Sequence, residues 1–121
     1  MTSGDNPNSE MVVYVGDDGR LQINVRFQGE TIWLTQAQLA NLFDTSRPNI
    51  TMHIKNIFDE GELNETSVCK DFLLTATDGK KYTTKHYNLD MVIALGYRVK
   101  SNIATNFRIW TPVQKMVEGK R

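Results

Sequence analysis

Between Thr35 and Gly61 the chain reads TQAQLANLFDTSRPNITMHIKNIFDEG, two apolar-periodic stretches parted by a polar break. A break this short leaves two helices little choice but to pack across one another. The Thr35 hydroxyl can cap the first helix while Gln38 returns the bond, a capping box. Leu39, Leu42 and Phe43 give that helix its apolar stripe. Asp44, Thr45 and Ser46 supply the break and a new N-cap, and Pro48 is tolerated because it falls in the first turn of the second helix. That helix is predicted from Arg47 to Glu60, stopped by Gly61 at the C′ position. At roughly 100° per residue, Ile50, Ile54 and Ile57 share one face. Pro48, Asn49, Thr51, Met52, Lys55 and Asn56 occupy the other.

Counted from Gln36, the segment resembles the general helix-turn-helix pattern, with Ala40 at the fifth position and Ile50 at the fifteenth. It departs at the ninth, usually glycine, where Asp44 stands, and at the eighteenth, usually apolar, where His53 stands. Aspartate adopts the left-handed conformation more readily than most residues, so the turn stays feasible. A helix that enters a major groove presents short polar and amide side chains to base edges and cations to phosphates. Arg47, Asn49, Thr51 and Lys55 are of those types and in that place. The competing reading is an ordinary amphipathic helix whose solvated face carries them. His53, at the edge of the apolar stripe, reads as a half-buried packing residue.

Before this segment, Leu21, Ile23, Val25 and Phe27 alternate with Gln22, Asn24 and Arg26, a half-buried strand. The turn signals GDDG and QGE join it to strands at Met11 to Val15 and Thr31 to Leu34, a small antiparallel sheet. After Gly61, Asp78-Gly79 between β-rich runs predicts a hairpin. Pairing outward from a two-residue turn sets Ala76 opposite Lys81, Leu74 opposite Thr83 and Phe72 opposite Lys85, with Leu73 facing Thr84 and Asp71 facing His86. A hairpin directly after a helix-turn-helix is the arrangement of a winged helix. Lys80, Lys81 and Lys85 would place cations on this wing for phosphates, or would simply keep a sheet edge soluble.

Asn88 is the expected N-cap of a helix that buries Leu89, Val92, Ile93 and Tyr97, and Ser101 the cap of the next. There Ile103, Phe107 and Trp110 recur at core spacing, with Arg98, Lys100 and Arg108 as cations on the two helices. Pro112 should end or kink the last helix, since an interior proline costs about 3 kcal/mol. The expected fold is therefore α+β and winged-helix-like over residues 11–118: a small N-terminal antiparallel sheet, a helix-turn-helix, a β-hairpin wing and two C-terminal helices. Residues 1–10, MTSGDNPNSE, have no basic start and no apolar run; they read as a disordered leader rather than a signal peptide.

Net charge is zero over 121 residues, which speaks against a strongly basic nucleic-acid binder. The distribution is uneven: residues 1–66 hold ten acids and four bases, and residues 67–121 four acids and ten bases. An anionic partner should meet the second half. The longest apolar runs, Met11 to Val15 and Met91 to Leu95, have five residues each, far short of the roughly 20 that span a bilayer. No membrane segment is expected, and the single cysteine, Cys69, fits a reducing, cytoplasmic setting. Catalytic motifs and metal-ligand spacings are absent. The cluster Asp59, Glu60, Glu62 reads as a solvated helix end, and Asp71 with His86 lacks a nucleophile. The chain is not read as an enzyme, and no metal or cofactor is expected.

The stretches ETIWLTQAQLANLF, HIKNIFDEGEL, DGKKY, YNLDMVIALGYRVKS and FRIW, in this order, resemble the N-terminal domain of the RhuM virulence protein family. Similar endings occur in the N-terminal modules of phage antirepressor-like proteins. The resemblance implies a bacterial DNA-binding group, often encoded near restriction-modification loci, with Thr35 to Gly61 as the helix-turn-helix. It also marks Gly96, Tyr97, Arg98, Ser101, Phe107, Arg108 and Trp110 as a signature. Arg98 and Arg108 would either contact phosphates or tie the terminal helices to the hairpin. Family members continue as a helix after the tryptophan into a longer C-terminal region. Here Pro112 intervenes, and the chain reads as an excised domain or a short member.

Two functions are open to such a chain. The first is a sequence-specific module for double-stranded DNA, with the second helix in the major groove and the hairpin on the backbone; its contacts would be Arg47, Pro48, Asn49, Thr51, Met52, Lys55, Asn56, Lys80, Lys81, Lys85 and Arg98. A homodimer would suit a palindromic site, although no heptad repeat or seam marks one. The alternative is a protein-interaction adaptor that uses the helix-turn-helix as a scaffold. Helix spacing, wing and resemblance agree on the first.

Overall fold

The computed structural model of the protein describes residues 10–16 and 19–119, with side chains described as far as Trp110. The expected leader therefore lies outside the described residues except for Glu10, which opens strand β1 (Glu10–Val15). β2 (Gln22–Gln28) and β3 (Thr31–Leu34) complete an antiparallel meander. Gly29 and Glu30 join them in a two-residue turn, both left-handed at φ 64° and 65°. That is the turn whose twist suits a tight hairpin.

Helix α1 (Gln36–Leu42) begins with the predicted capping box: the Gln38 N–H donates to Thr35 Oγ1 at 3.1 Å, and the Thr35 N–H to Gln38 Oε1 at 2.9 Å. Helix α2 (Arg47–Asp59) is capped by Ser46, whose hydroxyl accepts from the Asn49 N–H, with Pro48 in its first turn. A one-turn helix, α3 (Glu65–Val68), leads into β4 (Cys69–Thr75) and β5 (Lys81–Asn88). Then come α4 (Leu89–Val99), capped by Asn88 as expected, and α5 (Ser101–Gly119).

The strands form one antiparallel sheet in the order β1-β2-β3-β5-β4. This corrects the expectation of a small sheet beside a separate wing. Trp33 pairs with Asn88 and Leu34 with Tyr87, so the hairpin is fused to the N-terminal meander through the end of β5. Its register is also one residue away from expectation. Thr75 faces Lys81, Leu73 faces Thr83, Phe72 faces Thr84 and Asp71 faces Lys85, which leaves His86 opposite Lys70. The cause is the turn. Gly79 donates to the Ala76 carbonyl and Ala76 to that of Lys80, and Gly79 is left-handed at φ 87°. Asp78-Gly79 thus sits in a three-residue loop that ends on a left-handed bulge, not in a two-residue turn.

One face of the sheet, carrying Ile23, Val25, Ile32, Leu34 and Tyr87, packs with Leu39, Leu42, Phe43, Ile50, Ile54, Ile57, Met91, Leu95 and Phe107 of the helices. On the opposite face Arg26 does not reach water as the alternation predicts. It is buried, its guanidinium 4.4 Å from the centre of the Phe72 ring, a cation–π contact. His86 packs edge-on to the same ring at 4.7 Å.

Two expectations at the C-terminal end are corrected. Ser101 is the first residue of α5, not its cap. Lys100 ends α4 in extended conformation, and its carbonyl accepts from Ile103 and Ala104, so the helices abut without a spacer. Nor does α5 end at Pro112. It runs on to Gly119, so Pro112 lies inside the helix, and of the two outcomes expected there, an end or a kink, the end is the one overturned. Among the described residues no helix is long and apolar enough to cross a membrane.

Candidate nucleic-acid interface

The α1–α2 turn is closed by a full C-terminal cap. Asp44 donates to the Asn41 carbonyl at 3.2 Å and Thr45 to that of Ala40 at 2.9 Å, with Asp44 left-handed at φ 53°. This is the Schellman arrangement, in which glycine usually holds the C′ position. Asp44 therefore does what the ninth position of a helix-turn-helix requires. The end of α2 repeats the motif with glycine: Gly61 (φ 75°) donates to Phe58 O, and Glu62 to Ile57 O, each at 3.0 Å.

Ile50, Ile54 and Ile57 are buried, which turns Arg47, Pro48, Thr51, Met52 and Lys55 out to solvent. Asn49, Asn56 and His53 are half-buried. The periodicity thus places the α2 residues correctly. It does not reveal how many of their polar groups are engaged within the fold. Asn49 Nδ2 donates to Thr45 Oγ1 at 2.9 Å. The Thr51 hydroxyl donates to Gln36 Oε1 at 2.8 Å and lies 3.0 Å from the Arg47 carbonyl, while Gln36 Nε2 donates to the buried Tyr87 hydroxyl at 3.1 Å. This chain of bonds fixes α2 to α1 and both to β5. Burial raises the Tyr87 pKa, opposed by the Gln36 bond. Sequence pattern gives no sign of this role for Gln36, because its partners are set by the fold.

The cations divide in the same way. Lys55 pairs with Asp59 at 2.7 Å, one turn along α2, and that hydrogen bond raises its pKa. Lys85 pairs with Glu65 at 2.9 Å, binding β5 to α3, with the same effect. Arg98 reaches Glu60 at 2.7 Å and Glu62 at 2.8 Å. It fastens α4 to the end of α2 rather than to the hairpin, and it accounts for two members of the acidic cluster. By contrast Lys80 and Lys81, at the hairpin tip, are exposed and form no ion pair among the described residues. The Lys80 N–H donates to Asp78 Oδ1, so only its backbone is tied down.

The signature residues lie in the α4–α5 pair. A Cβ on Gly96 would overlap that of Ala104 and come within 3.1 Å of the Phe43 ring, so glycine is what lets α5 cross α4 here. Arg108 donates to the Tyr97 hydroxyl at 3.1 Å. Phe107 and Trp110 pack edge-on around Tyr14, with centroids 4.9 and 5.1 Å from its ring.

Residues 67–118 match the model of the virulence protein RhuM family. The RhuM match begins in α3 and takes in β4, β5, α4 and most of α5; it leaves α1 and α2 outside. It also runs past Pro112, in keeping with the continuous helix. The segment similar to RhuM is therefore the packing framework of the chain together with the lysine-bearing hairpin. No curated protein and no solved structure matches the chain.

Proposed function

We propose that the protein is a sequence-specific module for double-stranded DNA, not an enzyme, in which α2 lies in the major groove and the hairpin tip rests on the phosphate backbone. The observation that carries this reading is the α1–α2 unit: a capped turn, a buried isoleucine face, and an outer face of Arg47, Pro48, Thr51, Met52 and Lys55. Lys80 and Lys81 supply the backbone contacts, since Lys85 and Arg98 already hold carboxylates. Asn49 and Asn56, at the margin of that face, are amides suited to adenine edges. A bacterial regulator or a protein of a mobile element would use such a module.

The second reading, a protein-interaction adaptor, is favoured by the same ion pairs, which leave α2 with little uncompensated positive charge. Fluorescence anisotropy on random duplex DNA, stepped in salt, separates the two. DNA binding predicts a linear fall of log affinity with log salt. In that case Lys81→Ala lowers the slope by about one unit for every sequence, whereas Asn49→Ala weakens a selected cognate site by about 1–3 kcal/mol and spares random duplex. No binding at low salt would support the adaptor.

A further inference from the structure

The two edges of the sheet are built differently. At β4 the strand carries Lys70 and Asp71, and Lys85 with Glu65 stands beside it, the charged protection that keeps sheet edges from pairing. At β1, Met11 to Val15 contains no charge and no proline. Cross-strand pairing of Met11 with Arg26 and Val13 with Asn24 sets Met11, Val13 and Val15 on the sheet face away from the helices. They are 56%, 51% and 47% exposed. Among the described residues no further strand pairs with this edge, which is apolar from Met11 to Val15 and packed at Tyr14 against Phe107 and Trp110; such an edge invites another strand.

We infer that β1 pairs antiparallel with β1 of a second copy of this chain, about a two-fold axis at Val13, to make one continuous ten-stranded sheet. The strand is complementary to itself in that register. Met11 meets Val15 of the other copy, Val13 meets Val13, and Val12 meets Tyr14, so every pair is apolar or aromatic. Glu10 falls opposite Gly16, so no like charges face each other. A formal net charge of zero leaves the two copies without long-range repulsion. The interface would be isologous, the commonest kind in homodimers. The inference is independent of DNA binding; combined with it, the symmetry would present two α2 helices to a palindromic site.

Sedimentation velocity on the full chain across a wide concentration range, joined to cysteine cross-linking, tests the pairing. The wild type is expected to pass from 13.8 kDa to twice that mass as concentration rises. Val13→Lys, which sets two lysines face to face, should remain monomeric with an unchanged circular dichroism spectrum. In a Cys69→Ser background, Val13→Cys should oxidise to a covalent dimer, because directly opposed residues lie about 4.5–5.5 Å apart at Cα, within disulfide reach. Met11→Cys should not, its two copies being about 14 Å apart along the strands. The cross-linking pair keeps the test decisive if Val13→Lys misfolds. A monomer at every concentration, a dimer that Val13→Lys leaves intact, or equal cross-linking at positions 11 and 13 would overturn the inference.

Discussion

The protein contains two helix pairs that meet one sheet and are put to opposite uses. α4 and α5 cross so closely that Gly96 admits no side chain. Two of their arginines are taken up by surface contacts within the fold: Arg98 by Glu60 and Glu62, Arg108 by the Tyr97 hydroxyl. α1 and α2 are spaced by a capped turn, and the outer face of α2 stays in solvent. One pair is a clamp and the other a presented surface. The residues that are easiest to recognise in a sequence, Gly96 to Trp110, serve the clamp. Recognisability therefore marks what holds this domain together, and the presented surface must be judged on its own exposure and chemistry.

The largest effect should come from breaking the clamp. Gly96→Val adds a branched side chain where even a Cβ overlaps Ala104, and overpacking of this kind costs about 3 kcal/mol. Urea unfolding should show the loss, and any DNA binding should vanish with the fold. Asn49→Ala, on the other pair, should leave the unfolding midpoint nearly unchanged, because Asn49 gives up one hydrogen bond at the margin of the solvent face. If Gly96→Val proved as mild as Asn49→Ala, the division between clamp and surface would be wrong.

The same division decides what was legible in the sequence. Local hydrogen bonding wrote the caps at Thr35, Ser46, Gly61 and Asn88 into residue types within four positions of one another, and all four are where the pattern placed them. The hairpin was legible as a hairpin but not in register, since Asp78-Gly79 fits a two-residue loop and the end of a three-residue loop equally well. The union of two sheets into one rests on Trp33 with Asn88 and Leu34 with Tyr87, contacts between distant parts of the chain that no local pattern encodes. At the candidate interface the exposed faces were readable from period. The partners that occupy Lys55, Lys85, Arg98 and Thr51 were not, because each contact but the Lys55–Asp59 pair depends on which elements the fold brings together.

Both pairs hang on the sheet, so a weakening of the sheet should loosen them together. His86 is buried on β5, its Nδ1–H donating to the Thr84 carbonyl at 3.0 Å. Burial first, and the nearby Arg26 charge after it, hold its pKa below the ordinary 6.5, while the Thr84 bond and Asp71 oppose the shift. As pH falls below 6.5 the unfolded chain takes up a proton that the folded chain excludes. Stability contributed by neutral His86 is therefore present above 6.5 and lost on acidification, by at most about 1.4 kcal/mol per pH unit, until the folded form is itself protonated. Melting followed from pH 7.5 to 5.5 should show this slope, and His86→Gln should flatten it. Loss of α1–α2 ahead of the rest, seen by hydrogen exchange, would mean that the presented pair is less firmly joined to the sheet than the Thr51–Gln36–Tyr87 chain implies.

The smallest change is the most pointed, because it compares the two Schellman caps of a single helix pair. Asp44 and Gly61 occupy the same C′ position, at φ 53° and 75°, with the same two hydrogen bonds closing each turn. The left-handed conformation costs a residue with a Cβ about 1–2 kcal/mol, less for aspartate than for most, and costs glycine almost nothing in the folded state. Asp44→Gly should thus stabilise the protein by somewhat under that amount, about 0.5–1 kcal/mol after the greater freedom of glycine in the unfolded chain is deducted. Asp44→Ala should do the reverse. If the protein binds DNA as proposed and the carboxylate serves only the turn, affinity tracks the charge alone: Asp44→Gly and Asp44→Asn, which both remove one negative charge, should bind alike and slightly more tightly than the wild type. A difference between those two variants in affinity, at equal fold stability, would show that the turn geometry itself positions α2, and the presented surface would then depend on its hinge as strictly as the clamp depends on Gly96.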